Sequence, residues 1–318
     1  MNQKSPQLIY LFQAVLVGAI MACMILMNPI QPDLLVQEAC GCMECMRNVE
    51  LDPWYAKRYN SQVPRLMYTQ NSNLSSSTDK WWQSLQGRPK NMNYTAIVET
   101  IFSMFPDENH HSDSGPDRCR LCALVGNSGN LEGSHYGPLI DAHDFVIRIN
   151  AGPTEGYERD VGSKTTHRAM YPESAVDIDN STHFVLIPFK MIDLKWIVSI
   201  FTTKHITRSP RKVKSSVQAN MDKVMILHPE FIKYVHENWL EKKGRYPSTG
   251  FIMLVLSLHI CDQVNVFGFG ASKSGVWHHY FDKKYNVFHN TNNHKGGNEY
   301  NLILQLEKKK WIHLYKGL

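Results

Sequence analysis

At 318 residues with 43% apolar content, the chain can bury one large core and is too apolar to be intrinsically disordered. Its formal charge of +5 is small and dispersed, which argues against a nucleic-acid-binding role.

Residues 1–7 are polar, with Lys4 the one charge, and from Leu8 to Met27 the chain is apolar except for Gln13 before stopping at Asn28-Pro29. About twenty apolar residues span a bilayer. A cleaved signal peptide and a buried helix are the alternatives. The run is long for a signal core, and Ala22-Cys23-Met24 is a poor cleavage site. The expectation is a cytosolic tail at 1–7, an uncleaved transmembrane signal anchor at 8–28, a short stem at 29–39 and a luminal body at 40–318, oriented by Lys4.

Two features agree with a luminal body. Asn73, Asn93 and Asn180 head glycosylation sequons. Outside the anchor stand Cys40, Cys42, Cys45, Cys119, Cys122 and Cys261, an even set that in an oxidising compartment reads as three disulfides. Zinc is the rival, since Cys42-x-x-Cys45 and Cys119-x-x-Cys122 are spaced like ligand pairs. Behind a membrane anchor the disulfide reading is preferred.

Residues 50–118 carry the least signal. Ser72–Asp79 is Ser-rich and reads as a loop, after which Trp81-Trp82-x-x-Leu85 has the spacing of a packed helix face. Residues 107–118 are a second polar loop.

From Cys119 the pattern sharpens. Ala123–Val125 reads as a buried strand, Gly126–Asn130 as a small-residue turn, Leu131–Ala142 as a partly helical crossover and Phe145–Asn150 as a second strand: a parallel βαβ unit. Gly126 and Gly129 allow close backbone approach, and Asn127 and Ser128 place amide and hydroxyl groups where a helix entrance would favour an anion. A plain tight turn is the alternative. Apolar runs follow at Phe184–Ile187, Val224–Leu227 and Val264–Phe269, with helices expected at Asp193–Phe201 and Pro229–Leu240. Alternating strands and helices predict an α/β domain with a mainly parallel twisted sheet flanked by helices, whose ligands bind beyond the carboxyl ends of the strands. Residues 204–220 form a basic loop that would either cover an anionic substrate or stand solvated.

Ser248 and Thr249 are N-cap types at the head of an apolar helix running to Ile260. Gly268-Phe269-Gly270 closes the strand after it. A histidine-rich tail follows, with His278, His279, His289 and His294, and Glu299 five residues after His294. A histidine beside a carboxylate suits general-base chemistry, and zinc held by His278, His279 and His294 is the competing reading.

CALVGNSGNL, HDFVIRIN and DVGSKTTH together resemble the large sialyl motif of animal sialyltransferases, and RYPSTGFIMLVLSLHICDQVNVFGFG resembles their small one. His279-Tyr280 is similar to the third motif and His294-x4-Glu299 to the very small one. The resemblance spans about residues 38–318. Through YPES at 171–174, HPEFIKYV at 228–235 and GRYPSTG at 244–250, it is nearest the α2,3-sialyltransferases acting on Galβ1,3GalNAc.

The resemblance implies a single Rossmann-like domain, a glycosyltransferase A-like variant, and inverting transfer of sialic acid from CMP-sialic acid to a galactose hydroxyl without a metal or cofactor. It implies that Asn127, Ser128, Asn150, Tyr171, Ser248, Thr249, Gly250, Gly270 and His278 face the donor, and that Tyr246 lines the acceptor pocket. His279 would offset charge on the departing CMP, His294 would take the acceptor proton, and Glu299 would support His294. It also implies the pairings Cys40–Cys45, Cys42–Cys119 and Cys122–Cys261, and a single-pass type II protein of the Golgi membrane. One departure stands out: Ile206–Ser215 lacks a phosphate-contacting tyrosine that these relatives carry there. The competing classes are a turnover-deficient member that only holds CMP-sugar or glycan, a metal-dependent hydrolase built on the histidines, and a sialyltransferase of different linkage.

Overall fold

Among the described residues, five of the seven strands fall where apolar runs predict them. In chain order they are β1 Leu121–Val125, β2 Phe145–Ile149, β3 His167–Met170, β4 His183–Leu186, β5 Val224–Ile226, β6 Gln263–Phe267 and β7 His313–Tyr315. The computed structural model describes residues 40–42, 52–85, 92–108, 111, 115, 117–205, 212–272, 275–282 and 296–317, all within the unit Cys40–Leu318. The expected tail, anchor and stem, residues 1–39, lie outside the described residues. Among the described residues no helix is long and apolar enough to cross a membrane.

The strands form one sheet in the order β5-β4-β3-β2-β1-β6-β7, and every neighbouring pair is parallel. Parallel sheets need both faces covered, so their strands read as continuous apolar runs rather than as alternation. On one face Leu124, Ile147, Ala169, Val185, Met225 and Val266 join a single core. On the other, Met170, Phe184, Leu186, Val224 and Ile226 join a second, and Ala123, Val125, Val146 and Phe267 a third. Strands β3 and β7 escape the apolar pattern. In β3 the buried residues include His167 and Arg168, polar side chains that mask the strand in sequence.

The helices are α1 Pro53–Ala56, α2 Ser76–Ser84, α3 Tyr94–Met104, α4 Gly137–Asp141, α5 Glu158–Val161, α6 Met191–Phe201, α7 Pro229–Tyr234, α8 Thr249–Ile260 and α9 Gly296–Lys308. All twelve residues of α8 are buried, as expected of a helix that is apolar all round. Two expectations are corrected. The Ser-rich loop expected at Ser72–Asp79 becomes helix from Ser76, because the Ser75 hydroxyl accepts the N–H of Thr78 and caps α2. The helix expected over Pro229–Leu240 is α-helical only to Tyr234 and then widens into a π turn over Val235–Trp239. Trp82 packs in the core and donates its indole N–H to Pro188 O at 2.8 Å, the structural role expected of it.

Cys42–Cys119 and Cys122–Cys261 are disulfides. These bonds consume the thiols that a zinc site at Cys42, Cys119 and Cys122 would need, so that reading is withdrawn. Cys40 is also disulfide-bonded, while Cys45, its expected partner, lies outside the described residues. Cys122–Cys261 fastens β1 to the C-terminal end of α8. Asn73, Asn93 and Asn180 are all exposed, as glycan acceptors must be.

Candidate functional site

The direction of strand addition reverses between β1 and β6, and in open α/β sheets that reversal opens a crevice beyond the strand ends. The turn after β1 holds Asn127 and Ser128, β2 leads into Asn150, β3 into Tyr171, and β6 into Gly268-Phe269-Gly270. Residues separated by more than a hundred positions therefore share one rim.

The β1 turn is tied down almost completely. Gly126 N–H donates to Phe267 O, Ser128 N–H to Gly268 O and Gly129 N–H to His278 O. The Ser128 hydroxyl donates to Gly270 O at 2.7 Å, and the Asn130 side chain to Phe269 O at 2.7 Å. Asn127 Nδ2 donates to Ile149 O at 3.2 Å, joining the ends of β1 and β2. Among the described residues, Asn127 N–H is the one turn amide with no acceptor. The helix entrance expected here is corrected: Ser128 caps only a three-residue turn, Gly129–Leu131, too short to gather a helix dipole.

The full-length helix start at this rim belongs to α8. Ser248 caps it by accepting Phe251 N–H, and the buried N–H groups of Thr249 and Gly250 have no acceptor among the described residues. Unpaired first-turn amides are donors for a ligand. Phe269 packs against both Gly126 and Gly250: a Cβ on either would come within 2.9 Å of its ring. That one aromatic ring brings the β1 turn, the β6 exit and the α8 start together.

Behind Ser248 lies Glu299, on the first turn of α9 and buried. Ser248 N–H donates to Glu299 Oε1 at 2.8 Å and Ser248 Oγ to Oε2 at 2.5 Å. Burial pushes the Glu299 carboxyl up to about 7 against the opposing pull of both Ser248 bonds. His294, the residue expected to use Glu299, lies outside the described residues.

On the other flank, Asn150 sits at φ 54, a left-handed conformation that asparagine tolerates. Buried Arg168 donates to Asn150 O at 2.9 Å and Gly152 O at 3.0 Å, holding the bend. Ser174 Oγ donates to Asn150 Oδ1 at 2.9 Å. Tyr171 meets Phe189 edge-on at 5.8 Å between ring centroids, and Phe189 meets Tyr246 at 5.0 Å, so an aromatic row runs along the rim from β3 to the approach of α8.

The segment 275–282 crosses the β1 turn, with His279 bridged to Ser128 and Tyr280 N–H donating to Asn127 O at 3.0 Å. His279 is half-buried. Desolvation lowers its pKa, with Asp282 pulling it up and His278 pushing it further down. His278 packs over Gly129 and reaches Glu132 Oε1 at 3.1 Å. Tyr280 is buried and donates to Pro153 O at 2.5 Å.

Asn127, Ser128, Asn150, Thr249, Gly250, Gly270 and His279 thus gather at one crevice, with Tyr171 and Tyr246 beside it. Arg168, Ser174 and Phe269 shape it and were missed, although Ser174 stands inside the quoted YPES and Phe269 between two flagged glycines. No periodicity marks a side chain that acts on a neighbouring strand's end.

The profile of glycosyltransferase family 29 (sialyltransferase) matches residues 66–311. The chain is 41% identical over 285 residues to CMP-N-acetylneuraminate-beta-galactosamide-alpha-2,3-sialyltransferase 2 of Mus musculus, across 89% of this chain and 81% of that one. It is 40% identical over 287 residues to the corresponding sialyltransferase 1 of Homo sapiens, across 89% and 84%. A crystal structure of a mammalian sialyltransferase superposes with a TM-score of 0.83 at 41% identity, covering 88% of this chain and 100% of that one. A second, in complex with Gal-beta-1-3GalNAc-ortho-nitrophenol, gives 0.82 at 40% identity with the same coverage.

Proposed function

The chain belongs to glycosyltransferase family 29, the sialyltransferases, and we propose that it transfers sialic acid from CMP-sialic acid to the 3-hydroxyl of a terminal galactose, in Galβ1,3GalNAc of O-glycans or glycolipids. The observation that carries this reading is the meeting of the β1 turn, the Asn150 bend and the amides of Thr249 and Gly250 in the crevice where strand order reverses.

In the proposed reaction the donor's nucleotide lies between Asn127 and Asn150 on one side and the start of α8 on the other. The acceptor oxygen bonds to the anomeric carbon as the bond to the phosphate breaks, and the electron pair leaves with CMP. His294 takes the hydroxyl proton, and His279, in its charged form, offsets the phosphate. A positioned base contributes on the order of 10²–10⁴ in rate, and alignment contributes more. Tyr246, beside Phe189, belongs to the acceptor side. Side chains alone carry this chemistry, so transfer persists in a strong chelator. The anchor at residues 8–28 would hold the enzyme in the Golgi membrane with its body in the lumen, where its disulfides are stable.

The deciding experiment is product linkage analysis after incubation with CMP-sialic acid and a panel of disaccharides. An α2,3 product on Galβ1,3GalNAc and none on Galβ1,4GlcNAc is expected. Absence of donor consumption with every acceptor overturns the proposal in favour of a binding-only member. His294→Ala is expected to abolish transfer while CMP still binds; undiminished transfer removes His294 from the mechanism.

A further inference from the structure

The turn after β3, Tyr171-Pro172-Glu173-Ser174, has a hydroxyl at its centre that no mechanistic role uses. Ser174 Oγ accepts Tyr171 N–H at 3.2 Å and lies 3.1 Å from Tyr171 O, closing the turn on itself. The same oxygen makes its shorter donor contact, 2.9 Å, with Asn150 Oδ1 at the end of the neighbouring strand.

The backbone around Asn150 is already fixed without Ser174. Asn150 N–H donates to Ala169 O at 2.8 Å, and Arg168 holds its carbonyl. What Ser174 adds is a partner for the side-chain amide, its hydroxyl proton directed to Oδ1. With Oδ1 engaged by the hydroxyl, nothing among the described residues accepts from Nδ2. An amide presents either a donor or an acceptor depending on its rotation. We propose that Ser174 is a positioning residue of the donor site: it orients the Asn150 amide so that a hydrogen-bond donor, not an acceptor, faces the CMP portion of the sugar nucleotide, and through the same oxygen it seats Tyr171. This rests on the sialyltransferase reading given above.

The arrangement separates Ser174 from the residues it serves. Its hydroxyl is occupied by protein groups, so it does not touch the donor, and its effect reaches the substrate only through Asn150 and Tyr171. Loss of one neutral hydrogen bond of this kind corresponds to a change of about three- to tenfold in affinity.

The test uses calorimetric CMP binding and steady-state kinetics on wild type, Ser174→Ala, Ser174→Thr, Asn150→Ala and the Ser174→Ala/Asn150→Ala double variant. Ser174→Ala is expected to weaken CMP binding and raise the KM for CMP-sialic acid about three- to tenfold, leaving the acceptor KM and kcat at saturating donor within about twofold. Ser174→Thr, which keeps the hydroxyl, restores most of the loss. In the Asn150→Ala background Ser174→Ala adds little, the signature of a residue acting through its neighbour. Wild-type binding unchanged in Ser174→Ala, or the full loss persisting without the Asn150 side chain, overturns the inference. Wild-type protein that binds no CMP overturns the donor reading and this inference with it.

Discussion

Ser248 gives both its backbone N–H and its hydroxyl to the carboxylate of Glu299, so the cap of α8 is held by the first turn of α9 across 51 positions of chain. The pair couples the start of one helix to the first turn of the next helix described in the chain. Glu299 is expected in sequence to support His294, which lies outside the described residues; its described partners are the two donors of Ser248.

Because burial raises the Glu299 carboxyl to about 7, the folded protein holds that proton over a range in which the unfolded chain, near 4.5, has lost it. The contribution of Glu299 is therefore full below about pH 4.5 and is lost as pH rises through about 7. Thermal melts of wild type and Glu299→Gln from pH 4.5 to 8 are expected to diverge. Wild type loses on the order of 1–3 kcal/mol relative to the variant as pH rises. Parallel curves would show that Glu299 does not titrate in this window.

His279 predicts a linked protonation. Desolvation holds its pKa below the ordinary histidine value, so the empty site is largely neutral near pH 7. In the proposed donor pose an anionic phosphate beside His279 would favour the charged ring, so donor binding is expected to take up a proton and affinity to fall as pH rises above the pKa of the free site. Calorimetry in two buffers of different ionisation enthalpy measures the uptake, which is expected to vanish in His279→Asn.

Gly126 marks the closest approach of the two strand exits. A Cβ there would lie 2.4 Å from Gly268 O and 2.9 Å from the Phe269 ring, and the carbonyl belongs to backbone that cannot rotate away. Gly126→Ala is expected to cost about 1–3 kcal/mol in urea unfolding and to abolish CMP binding. Gly115→Ala, with nothing within 4 Å, serves as the neutral control.

Lys190 sits between the partly buried carboxylate of Glu173, at 2.5 Å, and the buried carboxylate of Asp193, at 3.6 Å. Burial pushes Asp193 up to about 7, opposed by Lys190 and reinforced by Glu173. Lys190→Met leaves both acids without a counter-charge, an expected loss of about 3–5 kcal/mol at pH 7.5. The deficit should shrink at pH 5, where Asp193 holds its proton; denaturant unfolding at the two pH values checks both parts.

By itself the sequence determines the class of the fold and the order of its motifs. Runs such as Ala123–Val125 and Val264–Phe269 read as strands in any context that covers both faces, and the apolar stretch after Ser248 has one stable use, as a buried helix. Small-residue turns at Gly126–Asn130 and Gly268–Gly270 stand out because they interrupt those runs. Tertiary structure alone decided the partners. It made a strand of His167–Met170, whose buried polar side chains hide its character, and stood β6 beside β1 so that Phe269 packs against Gly126. It also set Ser174 on Asn150 and Glu299 on Ser248. The physical reason is range: propensity and periodicity act within a few residues, whereas a hydrogen bond between distant segments exists only once the sheet order has brought their ends to the same rim.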